Sequence, residues 1–156
     1  MKDAGHIGVA GAASPGEAAP ADPATVYARL GGDAAVRRLV HRFYALMDEL
    51  PEAWDVRKLH PASLEGSEQK LYKYLSGWFG GPPLYVRENG HPRLRWRHLP
   101  WAIGAHERDQ WLMCMHAALR EQVDDPALRD AIGKAFDDLA DHMVNRRDPG
   151  AHDAAP

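Results

Sequence analysis

Residues 91–115 read HPRLRWRHLPWAIGAHERDQWLMCM, and two patterns meet in them. From Arg93 to Leu99 basic and apolar residues alternate, which taken alone is a strand pattern. From Glu107 to about Glu121 the apolar residues return at helical spacing: Trp111, Met115, Ala118 and Leu119 share a face, with Leu112 beside it. A single strand would have nothing to pair with, because no other part of the chain alternates. The stretch therefore reads as a short extended segment leading into one helical turn around His98, closed by Pro100, and then a helix. That choice makes the fold class all-α.

Working outward, the same spacing recurs on both sides. Thr25 to Leu30 forms a short helical piece stopped by Gly31 and Gly32. Asp33 is a suitable N-cap for a helix that places Val36, Leu39, Val40, Phe43, Met47 and Leu50 on one face, with Tyr44 at its edge. Pro51 to Ser63 is an irregular connection holding at most a turn of helix. Ser63 to Trp78 is the next helix, with Leu64, Leu71, Tyr74, Leu75 and Trp78 on a stripe that also carries the small polar Ser67. Gly80, Gly81, Pro82 and Pro83 stop it, and a long loop runs from Gly80 to about Arg93. Asp125 as N-cap with Pro126 at the first helical position opens the last helix, whose stripe is Leu128, Ile132, Ala135, Phe136, Leu139 and Met143. The sum is about four main helices with short ones between them. Residues 1–24 are mostly Ala, Gly and Pro and cannot bury enough apolar surface to offset their ordering entropy, so they read as a flexible tail, as do residues 148–156. The folded domain is 25–147.

Bulk properties exclude several function classes. A net charge of -3 gives no reason to expect a nucleic-acid surface. One cysteine, Cys114, excludes an internal disulfide framework and any cysteine-built zinc or iron–sulfur centre. No run approaches the roughly 18 consecutive apolar residues of a membrane span, and the N-terminal segment is too weakly apolar for a secretion signal. No membrane contact and a cytoplasmic location are the expectations. The nine histidines include no His-Glu-x-x-His pair, and the chain has no phosphate-binding glycine loop, no dinucleotide fingerprint and no nucleophile elbow.

What remains is a helical chain with one histidine in a special setting. A haem needs an axial nitrogen, flat apolar walls and cations near its propionates. His98 offers an imidazole whose second nitrogen a backbone carbonyl can orient. Arg93, Arg95 and Arg97 lie within reach of carboxylates, and Leu94, Trp96, Leu99, Trp101 and Ile103 offer apolar surface. Residue chemistry leaves two other readings open: an ordinary loop histidine beside a solvated basic edge, and a local nucleic-acid contact made by the arginine and tryptophan run.

Longer matches carry a resemblance. Gly31-Gly32, Arg42-Phe43-Tyr44, the stop from Trp78 to Pro82, the run from Gly90 to Trp101, Glu107 to Leu112, and Cys114-Met115 together resemble the group II truncated haemoglobins. The similarity extends from about Tyr27 to Asn145. It implies a two-over-two helical sandwich around haem b, with the helix carrying the iron-ligating histidine reduced to about one turn. On that resemblance His98 is the iron ligand, and Arg97, Leu71 and Met115 contact the cofactor. Tyr44 and Trp111 line the opposite, distal side and can donate hydrogen bonds. His60 is a third polar candidate there, and Ser67 takes the distal helix position. Cys114 is a packing residue.

The function implied is reversible binding, and with it transport, of dioxygen and other diatomic ligands, NO and CO among them. A redox enzyme on the same haem is the alternative, as an NO dioxygenase or in peroxidase-like detoxification. Either would need an external reductase, since the chain holds no flavin or nicotinamide motif. A third class is a ligand sensor working through a partner. Monomer and homodimer are both compatible with the sequence.

Overall fold

The computed structural model describes residues 24–146. The two tails lie outside that range, apart from Ala24. Among the described residues all regular structure is helical: α1 Val26–Leu30, α2 Asp33–Glu49, α3 Trp54–Arg57 after a 3-10 turn at Pro51–Ala53, α4 Glu65–Trp78, α5 Leu84–Asn89, α6 Leu94–His98, α7 Ala105–Gln122 and α8 Pro126–Met143. The all-α expectation is borne out. No helix of the described region is long and apolar enough to cross a membrane.

The four long helices form two layers. α2 packs on α4 and on α7, and α7 packs on α8. The stripes read from the sequence supply the core. Val36, Leu39, Val40, Phe43 and Met47 of α2 meet Leu75 and Trp78 of α4, Met115, Ala118 and Leu119 of α7, and Leu128, Ile132 and Phe136 of α8. Aromatic rings knit the layers: Phe43 lies 4.9 Å from Trp111, and Phe136 lies 4.9 Å from Trp78, centroid to centroid. Each fully buried side chain of this size contributes about 1.5–3 kcal/mol from lost apolar exposure, so this cluster dominates the fold's stability.

The end of α4 shows why its stop has that composition. Tyr27 N–H donates to Phe79 O at 2.9 Å, which stitches α1 onto the turn. Gly80 has φ +96, and a Cβ at Gly81 would stand 2.4 Å from the Tyr27 ring. At Gly80 a side chain would strain the left-handed backbone and crowd Thr25, and at Gly81 it would have to displace the Tyr27 ring.

Three local expectations are corrected. Gly32, not Asp33, occupies the cap of α2, with no side-chain cap bond. Asp33 is the first helical residue, and its carboxylate is taken by Arg37 Nε at 2.9 Å and by the Tyr72 hydroxyl. The Gly80–Arg93 loop contains a helix, α5, which packs on α4 with Tyr85 edge-on to Tyr74 at 6.3 Å. Arg93 is not extended. Its φ of 47 is left-handed, so the chain turns sharply into α6 with no strand-like lead. The Asp125 cap holds: its carboxylate accepts from Ala127 N at 3.0 Å and Leu128 N at 3.4 Å.

Candidate functional site

His98 closes the single turn of α6. Its Nδ1–H donates to Leu94 O at 2.6 Å, which fixes the ring and leaves Nε2 as a bare lone pair. No residue of α5 or α6 is buried. Tethers from the end of α8 replace packing. Arg95 Nη1 donates to Val144 O at 2.9 Å. Asn145 Nδ2 donates to His98 O at 3.3 Å and Trp101 O at 3.0 Å, its Oδ1 accepts from Ile103 N at 2.9 Å, and its own N–H donates to Ile103 O at 2.8 Å. Asn145 thus positions the His98 turn, a role that the sequence does not announce, since it lies far along the chain from His98 and belongs to no local motif.

The distal candidates Tyr44, Ser67, Leu71 and Trp111 stand on α2, α4 and α7, and His60 follows α3. Tyr44 is buried, and its ring packs on Phe43 at 4.8 Å and on His60 at 5.8 Å. Burial, and then the nearby Glu68 charge, push its pKa well above the ordinary value, so it is a phenol at all working pH. Among the described residues neither the Tyr44 hydroxyl nor the Trp111 indole N–H has a protein hydrogen-bond partner. Trp111 is half-buried between Phe43 and Phe136. Ser67 and Leu71 are half-buried on α4.

His60 is held by the loop that follows α3. Arg57 reaches Asp48 at 2.9 Å, Pro61 O at 3.0 Å and Ala62 O at 2.8 Å, clamping that loop to α2. Gln110 of α7 anchors α3 itself, accepting from Val56 N at 3.0 Å and donating to Asp55 at 3.0 Å. His60 Nδ1–H donates to Val56 O at 2.9 Å, so in the neutral ring Nε2 is an acceptor. Burial lowers the pKa of His60, and the charges of Arg57 and His98 lower it further, against the Val56 bond that raises it.

The arginine run divides. Arg95 is committed to the α8 end, Arg93 lies over the Trp96 ring at 5.9 Å, and Arg97 bonds Pro92 O at 2.9 Å by Nε alone. In Arg97 the two terminal nitrogens are not used in that bond. Met115 is 0% exposed and sits in the core cluster. Cys114 is equally enclosed, and burial pushes its thiol up to about 11, so it is inert.

The donor chemistry suits a haem. Among the described residues no group of three or more histidine, cysteine or acidic side chains can hold a bare metal ion. A metal ligated by a lone imidazole must bring its own equatorial ligands, as a porphyrin does. His98 Nε2 would be the nitrogen available to such a group, and the hydroxyl of Tyr44 and indole of Trp111 would be donors not already engaged with protein.

Comparison with known proteins gives the family. The bacterial-like globin family matches residues 25–145. The group 2 truncated hemoglobin YjbI of Bacillus subtilis is 34% identical over 115 residues, 74% of this chain and 85% of that protein. Among solved structures, the group II 2-on-2 hemoglobin of Agrobacterium tumefaciens is 48% identical with a TM-score of 0.77, covering 85% of this chain and 100% of that one. The cold-adapted truncated hemoglobin of Pseudoalteromonas haloplanktis TAC125 is 42% identical with a TM-score of 0.77, covering 78% and 98%. A half-buried histidine on a one-turn helix, in a two-over-two sandwich, thus belongs to a chain that is a member of the bacterial-like globin family, a group II truncated globin whose family cofactor is haem.

Proposed function

We propose that the protein binds haem b through His98 Nε2 and takes up dioxygen, and with it NO and CO, on the side walled by Tyr44, Trp111 and His60. The observation that carries this is the pairing of a bare, oriented imidazole nitrogen with two donors that have no protein partner. When bound, haem supplies a redox-active iron with an open position for a diatomic gas. The chain supplies the rest. The Tyr44 phenol and Trp111 indole donate hydrogen bonds to the polarised gas, each worth about 0.5–1.5 kcal/mol in a dry pocket. Leu71 covers one face, and Ser67 offers a small hydroxyl where bulk would block the pocket. Arg97 turns its free N–H groups to a propionate. One cysteine, buried, suits a reducing cytoplasm.

His60 favours a second reading. Because Nδ1–H is committed to Val56 O, Nε2 accepts a proton more readily than it donates one. A hydroperoxide entering the pocket would find a base at that atom and a phenol beside it, the arrangement a peroxidase-like activity needs. That activity, like NO dioxygenation, requires an external reductant.

The test is an absorption spectrum of the purified protein supplied with haem, followed by gas release kinetics. A Soret band that changes its ligand-field features in His98→Ala supports the assignment, and no Soret band sinks it. Tyr44→Phe is expected to release dioxygen roughly fivefold to tenfold faster, in line with the loss of one hydrogen bond. An unchanged release rate would remove Tyr44 from the pocket. If the ferrous protein with dioxygen consumes NO no faster than the gas dissociates, NO dioxygenation fails.

A further inference from the structure

The outer side of α6 carries an exposed tryptophan. Trp96 is 62% exposed, Leu99 45%. Trp96 stands two residues before His98, about 200° around a helix at 3.6 residues per turn. It therefore faces away from the space that His98 enters, and a group ligated there cannot cover it. Leu99 lies three residues on, on the Trp96 side of the turn. The surroundings are cationic: Arg93, Arg95 and Arg97 flank Trp96 with no acidic residue between Arg93 and Leu99, and Arg93 lies over the indole at 5.9 Å. A protein with 22 acidic and 19 basic residues thus shows a locally basic face with an aromatic centre. Aromatic and arginine side chains are what protein interfaces select for at their hot spots.

Charge chooses the occupant. A second copy docked symmetrically would oppose arginines to arginines. An acidic partner is attracted and steered. Position chooses its chemistry. The patch is on the back of the very turn that holds the iron-ligating imidazole, no more than about one helix diameter, 10–12 Å, away. The chain has no flavin or nicotinamide motif of its own.

We propose that the outer face of α6, centred on Trp96 with Arg93 and Leu99, docks an acidic one-electron donor protein that reduces the haem iron. The proposal rests on haem ligation by His98. One electron leaves the donor and one reaches ferric iron, which becomes ferrous; no bond or proton changes hands.

The experiment mixes haem-loaded ferric protein with a reduced, acidic plant-type [2Fe–2S] ferredoxin in stopped flow, at increasing salt. Both proteins carry net negative charge, so contact at an average surface would speed up as salt screens repulsion. Docking at the basic face predicts a rate that falls with salt. Trp96→Ala and Arg93→Glu should each slow the reaction roughly tenfold, while reduction by dithionite and the Soret spectrum stay as in the parent protein. In the ferrous protein with CO, the Trp96 indole N–H resonance should shift as oxidised ferredoxin is added. A rate that rises with salt, or variants as fast as the parent, overturns the proposal. So does a requirement to delete residues 148–156 before ferredoxin acts, because that segment would then be the occupant. Failure of the His98 reading is seen separately, as a missing Soret band.

Discussion

The donor wall and the histidine wall that the proposed function brings together are built by different physics. Tyr44 and Trp111 stand on long helices whose other faces form the core, with Phe43, Met115 and Phe136 packed behind them. Removing them from place would require opening the densest part of the molecule. His98 stands on five residues, none of them buried, held by hydrogen bonds from Asn145 and Arg95. The donor wall is preformed by packing, whereas the histidine wall is positioned by tethers. On the proposed function a cofactor would meet fixed gas-side donors and an adjustable ligand.

The contrast can be broken most directly by stability. Phe43→Ala should lower the unfolding free energy by about 3–5 kcal/mol, as large aromatic deletions in cores do, whereas Trp96→Ala on α6 should fall within roughly 0.5 kcal/mol of the parent. Equal losses in denaturant titration would mean that the His98 side is packed after all. Asn145→Ala sharpens the same point with a smaller effect. Haem transfer to an acceptor protein should run roughly tenfold faster, matching about 1.4 kcal/mol of lost hydrogen bonding, with the spectrum before transfer retaining its histidine features. Haem retained as tightly as in the parent would leave the tether without function.

The smallest effect concerns pH. The pKa of His60 lies below its usual 6.5 in the folded protein. Above that value the ring is neutral in both folded and unfolded chains and contributes no difference. As pH falls below it, the unfolded chain takes up the proton first, so stability declines toward acid. His60→Gln should flatten that decline while leaving stability at neutral pH nearly unchanged, as read from thermal midpoints over a pH series. A decline of the same slope in the variant would assign it to other groups.

The sequence disclosed the donor wall's scaffold better than the histidine wall. α2 and α8 carry long stripes with clear ends, and Asp125-Pro126 marks a start that the structure repeats. α5 has six residues between two prolines and a glycine, too few for a period to show, and its contact with α4 is purely tertiary. Tyr72 lies off the apolar stripe, so helical spacing does not single it out; its ring is buried under Arg37 at 4.0 Å and its hydroxyl serves Asp33. At the site, His98 was visible as an imidazole in a breaker-rich turn, but the roles of Tyr44, Trp111, Ser67 and His60 came from resemblance. Geometry then separated them, giving Tyr44 and Trp111 unengaged donors and His60 an engaged Nδ1. The tautomer of His60 depends on a carbonyl four residues back in a helix that composition alone does not reveal.

The tether at Asn145 also has a consequence for the order of events in synthesis. Asn145 follows α8, so a ribosome-bound chain that has emerged only through α7 already displays His98 without the residue that fixes its turn. The donor wall gains α2, α4 and α7 earlier, although Phe136 behind Trp111 arrives only with α8. If His98 ligates haem, a nascent chain stalled short of α8 would present its imidazole without the tether that holds its turn.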